Sequence, residues 1–84
     1  APNADDYAVT AYSCFHAGAA ATDNNVKFDN FTKAKAYFEI YLKMELNLQE
    51  VENANKRLNE INTYLIEYKK TAFDTAFNEQ PLGG

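Results

Sequence analysis

The sequence has few of the residues that interrupt helices or link chains covalently. Its two prolines, Pro2 and Pro81, lie near the ends, and residues 47–78 contain neither glycine nor proline. Since these two residue types destabilise helix interiors, their absence permits one long helix there. Cys14 is the single cysteine, so a disulfide within the chain is excluded.

Basic residues and long apolar runs are also scarce. Eight Lys and Arg stand against twelve Asp and Glu, which gives a formal net charge of −4. Nucleic-acid binding depends on clustered basic side chains, and here only Lys56 with Arg57 and Lys69 with Lys70 are adjacent. No apolar run approaches the ~18–20 residues of a membrane span. We therefore expect no nucleic-acid partner and no membrane span, and the acidic charge favours a basic protein partner.

Length and composition indicate a single folded domain, residues 1–84. A chain of 84 residues hides only ~60–65% of the surface that its unfolded state exposes, so its core must be efficient. The chain has six tyrosines and six phenylalanines, and each of these can bury ~150–250 Å². With 46% hydrophobic and 24% charged residues, the composition is that of a globular protein.

Residues 47–78 carry one apolar stripe at helical spacing, which predicts a long helix over 48–78. Asn47 is a suitable N-cap, Glu50 stands where a capping box needs it, and Leu46 could pack on Val51 as a hydrophobic staple. The apolar stripe recurs every three or four residues, as one face of a helix does. Its members are Val51, Ala54, Leu58, Ile61, Leu65, Tyr68, Ala72 and Ala76. After the helix, a flexible tail is expected over 79–84.

Two shorter helices are predicted before this one. Asn3 can cap a helix over about 4–22, whose small residues allow close packing. A loop is expected next, with Asp29 or Asn30 capping a second helix over about 31–46. That helix is apolar on two sides, so it should lie between the other two. The fold class predicted is all-α, an antiparallel three-helix bundle with a long third helix.

The third helix is too long for the other two to cover. At ~1.5 Å per residue it spans ~45 Å, whereas the shorter helices reach only ~25–30 Å. Either residues 64–77 pack on a second protein chain, or the helix breaks near Thr71 and a short fourth helix folds back. In the first case the partner is another protein or a second copy. The candidate partner-binding residues are Tyr64, Leu65, Tyr68, Phe73 and Phe77.

Residues suited to catalysis or metal binding are few. His16 is the only histidine, and on a helix it lies well over 100° from Cys14, so the two do not converge on a metal. The segment 23–29 begins like a calcium loop, but Lys27 and Phe28 stand where an EF-hand needs an oxygen ligand and glycine. We therefore expect no catalytic residue, no metal and no cofactor, and we do not expect an enzyme.

Two functions remain open from the sequence. The first is a non-catalytic helical protein–protein interaction module, such as a small inhibitor, immunity-type or adaptor protein, which binds a partner or itself through the C-terminal half of the third helix. The alternative is a small-ligand carrier with an aromatic-lined pocket between helices 2 and 3. The sequence begins Ala1-Pro2-Asn3, which fits a periplasmic or secreted protein after signal-peptide removal and equally a trimmed cytoplasmic chain.

Overall fold

The computed structural model describes residues 2–79, with the side chains of residues 2–76. Within these residues the chain forms three α-helices: α1 (Ala4–Ala20), α2 (Asn24–Met44) and α3 (Leu48–Glu79). α2 packs against both α1 and α3, which confirms the predicted all-α three-helix bundle with helix 2 between the other two. The molecule is elongated, with principal extents of 56 × 22 × 20 Å.

α1 begins at the predicted cap. The Asn3 side-chain oxygen accepts a hydrogen bond from the Asp6 amide at 3.1 Å, and the Asp6 carboxylate accepts one from the Asn3 amide at 3.0 Å. This reciprocal pair is a capping box. Asp5 and Asp6 also place negative charge beside the positive end of the helix dipole. α1 ends at Ala20, slightly before the expected residue 22.

α2 begins at Asn24 rather than near residue 31, so the predicted loop before it is wrong. Asp23 is the N-cap: its carboxylate accepts hydrogen bonds from the backbone amides of Asn25 at 2.8 Å and Val26 at 3.1 Å. These bonds satisfy amides that the first helical turn leaves without a partner. The early start lengthens α2 toward the C-terminal half of α3.

The residues expected to cap α2, Asp29 and Asn30, lie inside the helix instead. The Asn30 side chain donates a hydrogen bond to the Val26 carbonyl one turn earlier, at 3.0 Å. Aspartate and asparagine favour caps because they compete for backbone hydrogen bonds. This segment contains several aspartate and asparagine residues that could cap a helix. α2 begins after the first of them, because its next turns then pack on α3.

α1 and α2 approach closely because small residues line their contact. Ala11 and Ala34 are fully buried, and Gly18 faces the ring of Phe31. A Cβ atom added at Gly18 would lie 2.7 Å from Cδ1 of Phe31, which is closer than such atoms pack. Glycine is therefore required there by the approach of the two helices rather than by its backbone conformation.

Aromatic rings from all three helices meet in one core. Phe38 is fully buried, and its ring meets that of Tyr12 edge to face with the centroids 4.9 Å apart. The Phe31 ring lies between those of Phe15 and Tyr64, at 5.7 and 5.0 Å between centroids. The buried apolar residues are Ala11, Phe15, Phe31, Ala34, Phe38, Tyr41, Ala54, Ile61 and Leu65.

The turn between α2 and α3 is held by Glu45. Its carboxylate accepts hydrogen bonds from the backbone amides of Leu46 and Asn47, at 3.0 and 2.9 Å, and from the Tyr41 hydroxyl at 3.2 Å. Asn47 accepts the Glu50 amide proton at 3.0 Å, which confirms it as the cap of α3. Leu46 is 91% exposed, so the predicted hydrophobic staple does not form.

We expect the protein to lose stability at alkaline pH, because the Tyr41 hydroxyl in this turn then ionises. Burial and, next, the hydrogen bond to Glu45 raise the pKa of Tyr41 from its ordinary value of 10.0 to about 12. A pKa that folding raises stabilises the protein below the unfolded value, and the contribution is lost as the pH rises from about 10 to about 12. The free energy of unfolding, measured by urea titration, should therefore fall more steeply over this window in the unmodified protein than in Tyr41→Phe.

The variant also lacks one hydrogen bond, so at pH 8 it should be less stable by ~1 kcal/mol. Burial also raises the pKa of Tyr12 and of Tyr64, and for this reason a residual alkaline slope should remain in Tyr41→Phe. Equal slopes in the two proteins would contradict the expected role of Tyr41. The hydrogen bond from the Asn47 amide lowers the pKa of Glu45, so the contribution of Glu45 is present at neutral pH and is lost in acid.

α3 runs without interruption from Leu48 to Glu79. No fourth helix forms after Thr71 within the described residues, so the fold-back alternative is wrong. The segment Thr71-Ala72-Phe73-Asp74 has the spacing of a capping box, but it does not end the helix, because no proline or glycine interrupts the backbone hydrogen bonds there. Glu79, expected in the flexible tail, is helical; the rest of that tail, residues 80–84, lies outside the described residues.

Candidate functional site

α2 covers α3 only as far as Tyr68. The Phe28 ring, near the beginning of α2, stacks on the Tyr68 ring with 4.4 Å between centroids. Beyond this contact Ala72 and Ala76 are exposed, although they continue the apolar stripe of α3, and Phe73 is 69% exposed. The last turns of α3 therefore extend past the beginning of α2.

A groove of about 540 Å³ lies where α3 passes the N-terminus of α2. α2 contributes Asn24 and Asn25 to it. Tyr64 and Tyr68 are half-buried, while the other lining residues are exposed, so the groove is open to the surface. The lining residues from α3 are Tyr64, Glu67, Tyr68, Thr71, Ala72, Thr75 and Ala76.

Tyr64 forms the inner end of the groove and is held by α2. Its hydroxyl donates a hydrogen bond to the Asn24 carbonyl at 3.5 Å, and its ring lies against those of Phe31 and Tyr68. The Lys27 ammonium stands 5.9 Å from the ring centroid. Burial and, next, the charge of Tyr68 raise the pKa of Tyr64, so this phenol is neutral at physiological pH. The inner end of the groove is thus a fixed, uncharged aromatic surface.

Among the described residues that line the groove, Glu67 alone carries a charge. The remaining lining is aromatic, methyl, hydroxyl or amide. Phosphate recognition needs converging cations or amides, and divalent metals need several carboxylate or imidazole ligands. Such a lining is instead typical of a surface that packs on apolar and small side chains.

Near its beginning, α3 has a flank that faces α1. The groove lies on the continuation of this flank toward the end of α3. There the Arg57 guanidinium lies 5.5 Å from the centroid of the Phe15 ring of α1, and Tyr12 of α1 shares a smaller cavity with Glu50 and Arg57. Steps of three, four or seven residues separate the α3 positions 50, 53, 57, 64, 68, 71 and 75. These positions therefore share one side of the helix. α1 ends at Ala20, and α2 contacts this flank at Tyr64 and Tyr68, whereas Thr71 and Thr75 are exposed.

The structure places the five candidate partner-binding residues in different surroundings. Leu65 is 9% exposed and belongs to the core. Tyr64 and Tyr68 are half-buried and line the groove, Phe73 is exposed, and the side chain of Phe77 lies outside the described residues. The premise that no other part of the chain covers Leu65 and Tyr68 is wrong, because Leu65 packs in the core cluster and the Phe28 ring stacks on the Tyr68 ring.

Several groove residues are not among the candidates that the sequence suggests. The predicted loop includes Asn24 and Asn25, although Asp23 before them is as good an N-cap as Asp29 or Asn30. Thr71 and Thr75 are polar and interrupt no pattern, so no sequence signal distinguishes them from ordinary surface residues. Their place in the groove depends on where α2 begins, which is a property of the packed structure.

A second apolar surface lies on another side of α3. Ile66 is 65% exposed and Phe73 is 69% exposed, and a spacing of seven residues places them on one side of the helix. Lys69 and Lys70 fall between them in the sequence. This Ile66–Phe73 surface is therefore bordered by positive charge, unlike the groove.

Comparisons with known proteins return no match: no family model, no curated protein and no solved structure matches this chain. No function can therefore be carried over from a relative. Among the helices of the described residues, none combines the length and apolarity needed to cross a bilayer. Over the same part of the chain, no three His, Cys, Asp or Glu side chains come together as a metal site.

Proposed function

We propose that the protein is a non-catalytic interaction module, of the kind found among small inhibitors, immunity-type proteins and adaptors, which binds an α-helix through the C-terminal half of α3. The observation that carries this proposal is the groove. α1 ends at Ala20 and α2 begins at Asn24, and past these ends the apolar stripe of α3 continues through the exposed Ala72 and Ala76. A helix seated there would extend the bundle by the same packing that its own helices use.

The lining of the groove supports this role in two ways. Tyr64 and Tyr68 combine an apolar ring with a polar hydroxyl, a combination that is enriched at protein interfaces. Their rings are already packed against Phe31 and Phe28, so little side-chain entropy is lost when a partner binds. Ala72 and its small neighbours let a partner backbone come close. The net charge of −4 favours a basic partner through faster encounter.

The chemistry of the remaining polar side chains supports a role without catalysis. His16 is exposed, with its ring beside those of Tyr12 and Phe15. Cys14 is half-buried beside the core. A cysteine–histidine nucleophile pair needs the two groups within hydrogen-bond reach and a third group that orients the base. These contacts are those of residues at the edge of a core.

The groove is tested by Ala72→Arg with Ala36→Arg as the matched control. Ala72 and Ala36 are both exposed helical positions, and arginine is nearly as good a helix former as alanine, so both variants should fold. Affinity capture from an extract of the source cells should recover a protein with the unmodified chain and with Ala36→Arg, but not with Ala72→Arg. Titration calorimetry with the purified partner should show a loss of at least ~10-fold for Ala72→Arg, or ~1.4 kcal/mol.

Circular dichroism must show equal helicity in the two arginine variants. An equal loss of the partner in both would place the binding surface elsewhere and would contradict the proposal. Unchanged binding in Ala72→Arg would do the same, because a long charged side chain in the middle of the groove leaves no room for a helix.

A small-ligand carrier is the second candidate, because the groove volume of about 540 Å³ falls within the ~300–1,000 Å³ of typical ligand sites. Two tyrosine rings at one end would suit an aromatic compound. Such sites bury most of their ligand, however, and the lining residues here are mostly exposed, which favours the interaction module. In a thermal-shift screen, a stabilising aromatic or lipid compound whose effect disappears in Ala72→Arg would support the carrier.

A further inference from the structure

We infer that the end of the bundle where α2 turns into α3 is a second docking surface, which fits a protein whose apolar recess is bordered by lysine and arginine. This surface, here called the acidic end, comprises residues 4–8 and 40–52. It lies ~35 Å along α3 from the groove at Thr71. The inference is therefore independent of the proposed function, and a protein bound at the acidic end leaves the groove free.

The packing of the helices brings the two segments of the acidic end together. α1 and α2 are antiparallel: the ring of Tyr7 lies 6.2 Å from that of Tyr37, and the ring of Phe15 lies 5.7 Å from that of Phe31, measured between centroids. The beginning of α1 is therefore beside the end of α2. The turn 45–47 joins the end of α2 to the beginning of α3, so all three helices meet there.

Large apolar side chains are exposed at the acidic end. Leu46 is 91% exposed and Leu48 is 79% exposed, the two highest values among the large apolar side chains of the described residues. Met44, two residues before Leu46, is 41% exposed. Single exposed leucines are common, whereas several apolar side chains close together are typical of an interaction surface. Neither leucine packs in or on the core cluster of the described residues, so the fold does not account for them.

The backbone that carries the two leucines is held in place by hydrogen bonds. The Glu45 carboxylate accepts hydrogen bonds from the backbone amides of Leu46 and Asn47, at 3.0 and 2.9 Å. Asn47, between the leucines, accepts the amide proton of Glu50 as the cap of α3. Because these bonds already order the turn, little entropy is lost when a protein binds to it.

The acidic end also carries the whole net charge of the chain. Of the twelve acidic side chains five lie here, and of the eight basic ones a single lysine, so the rest of the chain has seven of each sign. A basic border around the recess of a bound protein complements this charge. The residues are Asp5, Asp6, Glu45, Glu50 and Glu52, with Lys43.

The same charges disfavour two other occupants of the acidic end. Membrane surfaces that bind proteins electrostatically are anionic and attract clustered lysine and arginine, so they repel this set of carboxylates. A second copy of the chain would bring its own acidic end against the first, and like charges at such short distances repel. A protein with a basic border fits both the exposed leucines and the carboxylates.

A synthetic peptide of leucine and lysine, ordered to form an amphipathic helix, offers an apolar strip bordered by ammonium groups and therefore tests this chemistry. Labelled with a fluorophore, it is titrated at low salt with Ala72→Arg, in which the groove is closed. We expect the peptide to bind, with an affinity that falls as salt is added. Because the groove is closed, failure of this proposal is distinguishable from failure of the proposed function.

The leucines are tested by Leu46→Ser with Leu48→Ser in the same background, a change that keeps every charge. The affinity for the peptide should fall at least ~10-fold, because two apolar side chains are no longer buried. The matched control is Val26→Ser with Ile66→Ser, at side chains that are 49% and 65% exposed outside the acidic end. It should bind like the background protein, and circular dichroism should show equal helicity in both.

The carboxylates are tested by Glu50→Gln with Glu52→Gln. The affinity at low salt should fall at least ~3-fold, as expected for the loss of exposed ion pairs, and its dependence on salt should become weaker. The control, Asp29→Asn with Glu60→Gln, removes two exposed carboxylates outside the acidic end and should change the affinity less.

Four results would overturn the proposal. The first is a peptide that does not bind at about 1 mM, and the second is equal affinity in the leucine variant and its control. The third is flotation of the protein with vesicles of phosphatidylcholine and phosphatidylglycerol that the leucine variant loses, which would identify a membrane as the occupant. The fourth is a dimer in sedimentation that the leucine variant loses, which would identify a second copy.

Discussion

Replacing Phe38 by alanine is expected to lower the free energy of unfolding by ~3–5 kcal/mol. The Phe38 side chain is 0% exposed and is one of the two largest fully buried side chains in the described chain, beside Ile61. Its ring meets that of Tyr12 of α1, so its removal opens a cavity where α1 packs on α2. A domain of this length has only ~4–13 kcal/mol of stability, and such a loss would unfold a large share of the molecules.

The matched control is Phe73→Ala, the same chemical change at a side chain that is 69% exposed. It should cost less than ~1 kcal/mol. Both values come from urea titrations followed by circular dichroism at 222 nm. A cost below ~1 kcal/mol for Phe38→Ala would mean that this ring is not in the core, and the packing of α2 between α1 and α3 would have to be revised.

Ile61→Ala is expected to destabilise the protein by ~2–5 kcal/mol through the contact between α2 and α3. Ile61 is fully buried in the same core cluster as Phe38 and Leu65. On the next residue of α3, the Asn62 side chain accepts a hydrogen bond from the Lys35 ammonium of α2 at 3.0 Å. The cavity left by Ile61 lies in the middle of this contact. Water could fill it only by contacting apolar side chains, which is unfavourable.

Ile66→Ala is the control for that prediction, because Ile66 lies on the same helix and is 65% exposed. Its cost should stay within ~0.5 kcal/mol, as for surface substitutions in general. If the two isoleucine variants lose equal stability, α3 does not present its Ile61 side to α2. The comparison therefore tests which side of α3 faces α2. The position of the groove depends on this orientation.

The sequence by itself determines the helices, because their signals are local. The apolar stripe of α3 follows the helical period, and Asn3 and Asn47 cap their helices as their positions predict. The two apolar sides of α2 likewise predict that it lies between the other helices, as it does. These features depend on side chains within one or two turns of each other, so no knowledge of distant contacts is required.

Where α2 begins was decided by tertiary structure. Asp23, Asp29 and Asn30 are all acceptable caps from local chemistry, and the sequence offers no means to rank them. The earliest one prevails in the structure, where the added turns bring Phe28 onto Tyr68. Stacking these two half-buried rings stabilises the helix start by more than the difference between two good caps.

The groove follows from the same tertiary choice. The mismatch in helix lengths was visible in the sequence, and it correctly placed uncovered surface in the C-terminal half of α3. The sequence could not show which residues were uncovered, because that depends on how far α2 reaches and on which flank α1 occupies. With α2 starting at Asn24 and α1 ending at Ala20, Leu65 became core. The polar Thr71 and Thr75 line the groove, because burial depends on contacts between helices and cannot be read from the sequence of a single helix.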